Sequence, residues 1–220
     1  LRSVIFVVLL VVTMGCGRAA MARELHRLDL RVRADGPPTH PVLLCNPWSG
    51  GSKVERFGLV ERAQELGVEV VMLAEGLDLE QLARDAVARG ADCLGMAGGD
   101  GSQALVASIA IEHDLPFVLV SAGTRNHFAL DLGIQRDDPR PSLDAFHDAV
   151  ERRIDYATVN GRLFVNNVSL GLYAEAVQRS GYRDSKIRTV LDTIPDFSGA
   201  DTGDHVLEYT GPNGVSGRRA

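Results

Sequence analysis

Three short polar stretches of this 220-residue chain carry residue types that could do chemistry. The central one is Gly98-Gly99-Asp100-Gly101-Ser102. Glycines around one carboxylate let the backbone pass close to a ligand, because no Cβ intervenes. If a helix starts there, its first N–H groups face an anion, and phosphate is the natural one. Asp100 would repel a bare phosphate. It fits if a divalent cation lies between the two, held directly or through water, which points to a magnesium–nucleotide site. The alternative is a tight strand-to-helix turn with Asp100 as a solvated cap, and one short motif does not choose between them. The flanking stretches are Asn46-Pro47-Trp48-Ser49-Gly50-Gly51-Ser52-Lys53 and Ser121-Ala122-Gly123-Thr124-Arg125-Asn126-His127.

Each stretch follows an apolar run. Val42–Cys45, Cys93–Ala97 and Phe117–Val120 read as buried strands, and Val68–Leu73 as a fourth. Helical patterns lie between them: Arg56–Leu66 with Phe57, Val60 and Ala63 on one face; Leu79, Leu82, Ala83, Ala86 and Val87 ended by Gly90; and Gln103–Glu112 with Leu105, Val106, Ile109 and Ala110 inward. Asp78 and Gln81 form a capping-box pattern. Strands that alternate with helices and are apolar on both faces predict an α/β fold with a parallel sheet. In such sheets ligands sit outside the carboxyl ends of the strands. All three polar loops would then open on one edge, which implies a phosphate-bearing ligand.

Beyond this domain, Pro139–Val150 predicts another helix with Leu143, Phe146 and Val150 inward. Residues 152–170 read as a hairpin turning at Asn160-Gly161, the first of an antiparallel β-rich second domain. Tyr173–Arg179 and Lys186–Thr193 are helical patterns, Asp196–Asp204 a polar loop, and His205–Thr210 a strand whose partners lie outside the chain. The expected division is 1–40 as an apolar segment and linker, 41–151 as the α/β nucleotide-binding domain, and 152–220 as the start of the second domain. Leu1 at the start and Arg218-Arg219-Ala220 at the end suggest a fragment.

Composition is that of a soluble domain, 45% hydrophobic and 24% charged. A net charge of −6 and the lack of a basic cluster with aromatics exclude a general nucleic-acid binder. Cys16, Cys45 and Cys93 have no metal or disulfide spacing, and Cys45 and Cys93 read as small buried hydrophobes in a reducing cytoplasmic setting. Val4–Val12 is an unbroken apolar run, shorter than the ~20 residues of a span. It reads as the end of a truncated transmembrane helix, as a signal-peptide core with Cys16 as lipid site, or as a buried element. Arg18, Arg23, Arg27, Arg31 and Arg33 beyond it favour the first, with a cytosolic domain following. The linker is Ala34–Pro41, and the globular domain is expected after it.

Neither G-x-x-x-x-G-K-[ST] nor G-x-G-x-x-G is present. The chain instead resembles the diacylglycerol kinase catalytic-domain family of lipid kinases over about residues 41–210. The resemblance rests on Asn46-Pro47-x-Ser49-Gly50-Gly51, Gly98-Gly99-Asp100-Gly101-Ser102 and Gly123-Thr124-x-Asn126-x-Phe128-Ala129 in order, with a weaker Phe164-x-Asn166 followed by Gly171. It implies ATP and Mg²⁺ between an α/β and a β-rich domain. Asn46, Pro47, Ser49, Gly50 and Gly51 would lie around the nucleotide, and Gly98, Gly99, Gly101 and Ser102 along its phosphates. Asp100 would orient the metal, and Gly123, Thr124 and Asn126 would complete the site. The implied acceptor is a lipid hydroxyl at the membrane surface, phosphorylated by a cytoplasmic, membrane-associated enzyme, and a homodimer is compatible. The family's general base lies late in the second domain, so none is named in this chain.

Several positions depart from the family pattern. Ser121 stands where proline is usual, Arg125 where a small residue is common, and His127 where an acid is common. Ser102 replaces threonine, and Tyr173 an acid. Lys53 could reach the γ-phosphate, Arg125 a phosphate or anionic headgroup, and His127 a phosphate or the cap position of a helix. Trp48 could stack on adenine or lipid, or simply pack. Rival functions are a kinase of a soluble acceptor, since NAD kinases and phosphofructokinases share Gly-Gly-Asp-Gly turns, and a nucleotide-binding sensor without catalysis.

Overall fold

The computed structural model describes residues 13–14, 30–32, 36–168, 207–211 and 214–219. The apolar run 4–12, Cys16, the helical patterns 173–179 and 186–193, the loop 196–204 and Gly171 lie outside the described residues. Among the described residues no helix is long and apolar enough to cross a membrane. The chain forms two compact units, 1–166 and 167–220.

The first unit is built on four parallel strands: β2 (Pro41–Cys45), β3 (Glu69–Met72), β4 (Cys93–Gly98) and β5 (Phe117–Ser121), in the order β3-β2-β4-β5. Leu43 pairs with Val70 on one side and Gly95 on the other, and Gly95 pairs with Val118. The helices are α1 (Lys53–Arg56), α2 (Leu59–Glu65), α3 (Leu79–Ala88), α4 (Asp100–Glu112) and α5 (His127–Asp131). This is the α/β fold the alternating pattern predicts.

The pleat sends alternate residues of β2 to opposite faces. Leu43 and Cys45 pack with Val54, Leu59, Ala63, Leu143 and Phe146. Val42 and Leu44 pack with Ala83, Ala86, Val106 and Ile109. Each fully buried leucine contributes roughly 1.5–3 kcal/mol. Gly95 is needed because a Cβ there would run into the Phe146 ring. Burial pushes the Cys45 thiol up to about 12, so it behaves as the small hydrophobe the sequence suggests. Asp92 anchors the entry to β2. Its carboxylate accepts from the Thr39 N–H at 2.6 Å, the Thr39 hydroxyl at 2.8 Å and the His40 N–H at 3.0 Å. Burial raises its pKa, but the bonds to Thr39 and His40 outweigh that and hold it below the usual range.

Gln103 is the buried polar residue the apolar stripe of α4 conceals. It is 2% exposed, and its Nε2 donates to the carbonyls of Met96 at 2.7 Å and Val120 at 2.9 Å. The amide thus ties the ends of β4 and β5 to α4. Gln103→Leu will lower stability by about 2 kcal/mol in urea unfolding, because the side-chain donor to two buried carbonyls is lost.

Several local expectations are corrected. The helix over 56–66 breaks into α1 and α2 at Gly58, whose φ of +58° is left-handed backbone. Asp78 caps α3 by accepting from the Glu80 N–H at 2.9 Å, but Gln81 donates to Asp85 instead of closing a capping box. The stretch 139–150 is a 3₁₀ helix over Arg140–Phe146 followed by β6 (Val150–Arg152). Leu143 and Phe146 are buried as expected, but Val150 is 58% exposed. It pairs with Val32 of β1 (Leu30–Val32), so a strand of this unit precedes the linker.

The hairpin at Asn160-Gly161 is present as β7 (Ala157–Val159) and β8 (Arg162–Phe164). Both turn residues have positive φ, 49° and 76°, as a two-residue turn with matching twist requires. The strands are short, and Ile154 and Tyr156 lie outside them, exposed. In the second unit β9 (Leu207–Thr210) pairs antiparallel with β10 (Ser216–Arg219). The strand over 205–210 therefore has its partner within the chain. The Gly211 N–H donates to the Val215 carbonyl at 2.9 Å, one step beyond the last paired residues.

Candidate functional site

The strand order reverses between β2 and β4, since β3 lies on one side of β2 and β4 and β5 on the other. The crevice outside the carboxyl ends at such a switch point is where open α/β sheets bind ligands. The loops after β2, β4 and β5 meet there, with close backbone-to-backbone contacts. A Cβ on Gly50 would collide with the carbonyl oxygen of Ala122, and one on Gly123 with Cα of Gly99. The Asn46 N–H donates to the Ala97 carbonyl at 2.9 Å, joining the first loop to the end of β4. The glycines at 50, 99 and 123 thus serve loop-to-loop packing. A Cβ on Gly51 or Gly101 would meet nothing within 4 Å.

Asp100 is the first residue of α4, whose N-cap is Gly99. The first bond of the helix runs from the Gln103 N–H to the Gly99 carbonyl at 2.9 Å. The N–H groups of Asp100, Gly101 and Ser102 have no partner within the helix, as at any N-terminus, and the helix dipole adds positive potential there. The Asp100 side chain turns to the third loop. Its carboxylate accepts from the backbone N–H groups of Phe128 at 3.0 Å and His127 at 3.2 Å. One acid therefore starts α4 and caps α5, 27 residues further along the chain. Asp100 is therefore not a solvated cap of its own turn, since it makes no cap bond to α4 and instead caps α5, a partner helix that the sequence did not indicate.

The remaining residues divide by role. Asn126 is 3% exposed at a φ of +50°. Its Oδ1 accepts from the Gly123 N–H at 2.8 Å, and its Nδ2 donates to the carbonyls of Gly123 at 2.8 Å and Ser121 at 3.1 Å. It shapes the loop from inside. Asn46 Oδ1 accepts from the Trp48 N–H at 3.1 Å, turning the first loop after Pro47, and the Ser49 N–H donates to the Asn46 carbonyl at 3.2 Å. Trp48 is 59% exposed, so it does not pack into the core. Ser121 takes the usual proline's place with a use for its hydroxyl, which donates to the Gln135 carbonyl at 2.8 Å.

Beside the loops lies a cavity of about 440 Å³ lined by Lys53, Thr124, Arg125, His127, Arg136 and Asp137. The Lys53 ammonium donates to the Arg136 carbonyl at 2.7 Å. His127 opens α5 behind the Asn126 cap. No sequence signal singles out Arg136 and Asp137, since they reach the cavity through tertiary ties such as Ser121–Gln135 and Lys53–Arg136.

The donor set suits a polyphosphate: outward backbone N–H groups, open space at Gly51 and Gly101, and a cationic wall. For a metal, among the described residues no group of three or more His, Cys, Asp or Glu side chains could hold one. Asp100 offers only the lone pairs left by its two backbone bonds. That suits one contact, direct or through water, to a magnesium ion carried in on phosphate oxygens.

A strand-order switch point with glycine loops and an open helix N-terminus defines an α/β domain whose crevice suits a phosphate-bearing ligand. The diacylglycerol kinase catalytic domain matches residues 40–159, and the chain belongs to that kinase family. It is 30% identical over 158 residues to a diacylglycerol kinase of Bacillus subtilis, covering 69% of this chain and 51% of that protein. It is 32% identical over 120 residues to a diacylglycerol kinase of Mycobacterium tuberculosis, covering 53% of this chain and 39% of that one. The chain thus spans about half the length or less of these relatives. In fold it is similar to a diacylglycerol kinase structure from Bacillus anthracis, with a TM-score of 0.55 at 20% identity over 83% of this chain and 61% of the other.

Proposed function

We propose that the protein is an ATP- and magnesium-dependent lipid kinase whose phosphoryl acceptor is a lipid hydroxyl, diacylglycerol-like or sphingoid. The observation that carries the reading is the open N-terminus of α4 at the strand-order switch point, fenced by three glycine loops. Residues 41–151 form the nucleotide-binding domain in this reading, and residues 152–220 begin the second domain. The enzyme works in the cytoplasm at the membrane surface.

Gly50, Gly51 and the backbone of Asn46, Pro47 and Ser49 line the nucleotide side of the crevice. The N–H groups of Asp100, Gly101 and Ser102 hold phosphate oxygens, with Gly98 and Gly99 keeping the turn low enough for close approach. Asp100 orients the metal, and Gly123, Thr124 and Asn126 fix the opposite wall. ATP supplies the γ-phosphoryl group and magnesium offsets its charge, so positioning and charge neutralisation are what the protein contributes.

The test offers the full-length protein Mg-ATP with diacylglycerol, ceramide and sphingoid base in mixed micelles, and in parallel NAD in detergent-free buffer. Phosphorylated lipid with no phosphorylated NAD supports the reading. Phosphorylated NAD alone, or ATP binding with no transfer, contradicts it.

A further inference from the structure

The first turn of α4 grips the third loop at both ends. Asp100 and Gln103 are three residues apart, so they are neighbours on the helix surface. The Asp100 carboxylate holds the far end of the loop, through the N–H groups of His127 at 3.2 Å and Phe128 at 3.0 Å. Gln103 Nε2 holds the near end, through the Val120 carbonyl at 2.9 Å. It also donates to the carbonyls of Met96 at 2.7 Å and Gly98 at 3.4 Å on β4. Between the two grips Asn126 closes the loop on itself through Ser121 and Gly123. Gly123 lies against Gly99 with no room for a Cβ.

Packing alone does not account for an amide at position 103. The side chain is 2% exposed, and its Oε1 is buried with no hydrogen-bond partner among the described residues. A buried acceptor left unsatisfied costs free energy, and an apolar side chain would carry no such oxygen. Turning the amide over would set that oxygen against carbonyl oxygens, so the nitrogen faces them. What the residue supplies is therefore a donor, placed where β4 and β5 end and the second and third loops begin.

We infer that Gln103 is a positioning residue for the phosphoryl transfer proposed above, and the inference rests on that reading for the role of Asp100. Gln103 acts through its neighbour. Its bonds fix the start of α4 against the end of β5, so that the Asp100 carboxylate meets the N–H groups of α5 and keeps the orientation the metal needs. Misplacing such a group by about 1 Å costs turnover on the order of 100-fold. The backbone N–H groups of residues 100–102 instead move with the helix and with the phosphates they hold. Turnover is therefore expected to fall more than nucleotide affinity.

The test uses the full-length protein with Gln103→Met, which keeps length and volume but removes the donor. Val106→Ala is the control, a buried residue of the same helix packed with Val42 and Leu44, whose loss leaves both grips in place. Lipid phosphorylation gives kcat, and calorimetry gives the ATP dissociation constant. Amide exchange of His127 and Phe128 is followed by NMR, relative to the Leu44 amide in the sheet, which corrects for global stability. In Gln103→Met kcat should fall roughly tenfold or more while the ATP dissociation constant stays within about threefold. The two amides should exchange faster relative to Leu44, and Val106→Ala should show neither change. Gln103→Asn keeps the amide on an arm one methylene shorter, which cannot serve both strands. It should show the same changes in smaller measure, and it carries the test if Gln103→Met does not fold. Wild-type kcat in a folded Gln103 variant overturns the inference, as does an equal fall in Val106→Ala. Wild-type protein that binds ATP but phosphorylates no lipid refutes the kinase reading instead. Exchange then decides alone whether Gln103 positions Asp100: faster exchange at His127 and Phe128 supports it, and wild-type exchange overturns it.

Discussion

Gly123→Ala will unfold about 2 kcal/mol more easily than the wild type and bind ATP at least ten times more weakly. The added methyl has nowhere to go. It meets Cα of Gly99, the Gly99 nitrogen at 3.0 Å and Oδ1 of Asn126 at 2.6 Å. The first two are backbone atoms, and Asn126 is pinned by three hydrogen bonds. Overpacking of this kind costs about 1–3 kcal/mol and displaces backbone. Displacement here parts the second and third loops, so binding falls with stability. Gly101→Ala separates the two effects. Its Cβ meets nothing within 4 Å, and alanine is the better helix former. Urea unfolding should show no loss of stability, while calorimetry shows weaker ATP binding because the methyl fills the approach to the helix N-terminus. A Gly123→Ala protein with wild-type stability and binding would mean that the loops do not need their close contact.

Asp100→Ala will reduce phosphoryl transfer by about 100-fold or more and lower stability by about 1–2 kcal/mol, two losses with separate causes. The stability loss comes from α5, whose His127 and Phe128 N–H groups lose their acceptor. The loss of activity comes from removing the only proposed metal-orienting charge in the crevice. Asp100→Asn distinguishes them. Its remaining carbonyl oxygen can still accept one N–H, so part of the stability returns. Transfer stays low, because the charge is gone. Full activity in Asp100→Asn would reduce Asp100 to a cap, which is the alternative the motif alone left open.

The legible and hidden parts of this structure differ in how local their causes are. The parallel sheet and the three loops could be read from the chain because each strand, its glycine turn and the following helix are adjacent. The family resemblance added order across the three loops. The switch point could not be read in this way, since strand order depends on which strands pair across the sheet. Asp100 illustrates the same boundary. Its place at the start of α4 follows from its neighbours, but its bonds to α5 span 27 residues. Val150 sits at helical spacing from Phe146 and Leu143, yet pairing with Val32 draws it into a strand. Gly58 and Gln103 did leave local signals, a glycine inside a helical pattern and an amide among apolar residues. Arg136 left none, because only tertiary ties bring residues 135–137 to the cavity.

The proposed function has the crevice at the end of the sheet position Mg-ATP for transfer to a lipid. It is tested most directly by following γ-labelled phosphate from Mg-ATP into lipid in mixed micelles, using the full-length protein and Asp100→Ala side by side. Label in one lipid class is expected with the wild type, and at least roughly a 100-fold drop in the variant. Equal label with both proteins would contradict the role given to Asp100, and no label with wild-type protein that binds ATP would contradict the kinase itself.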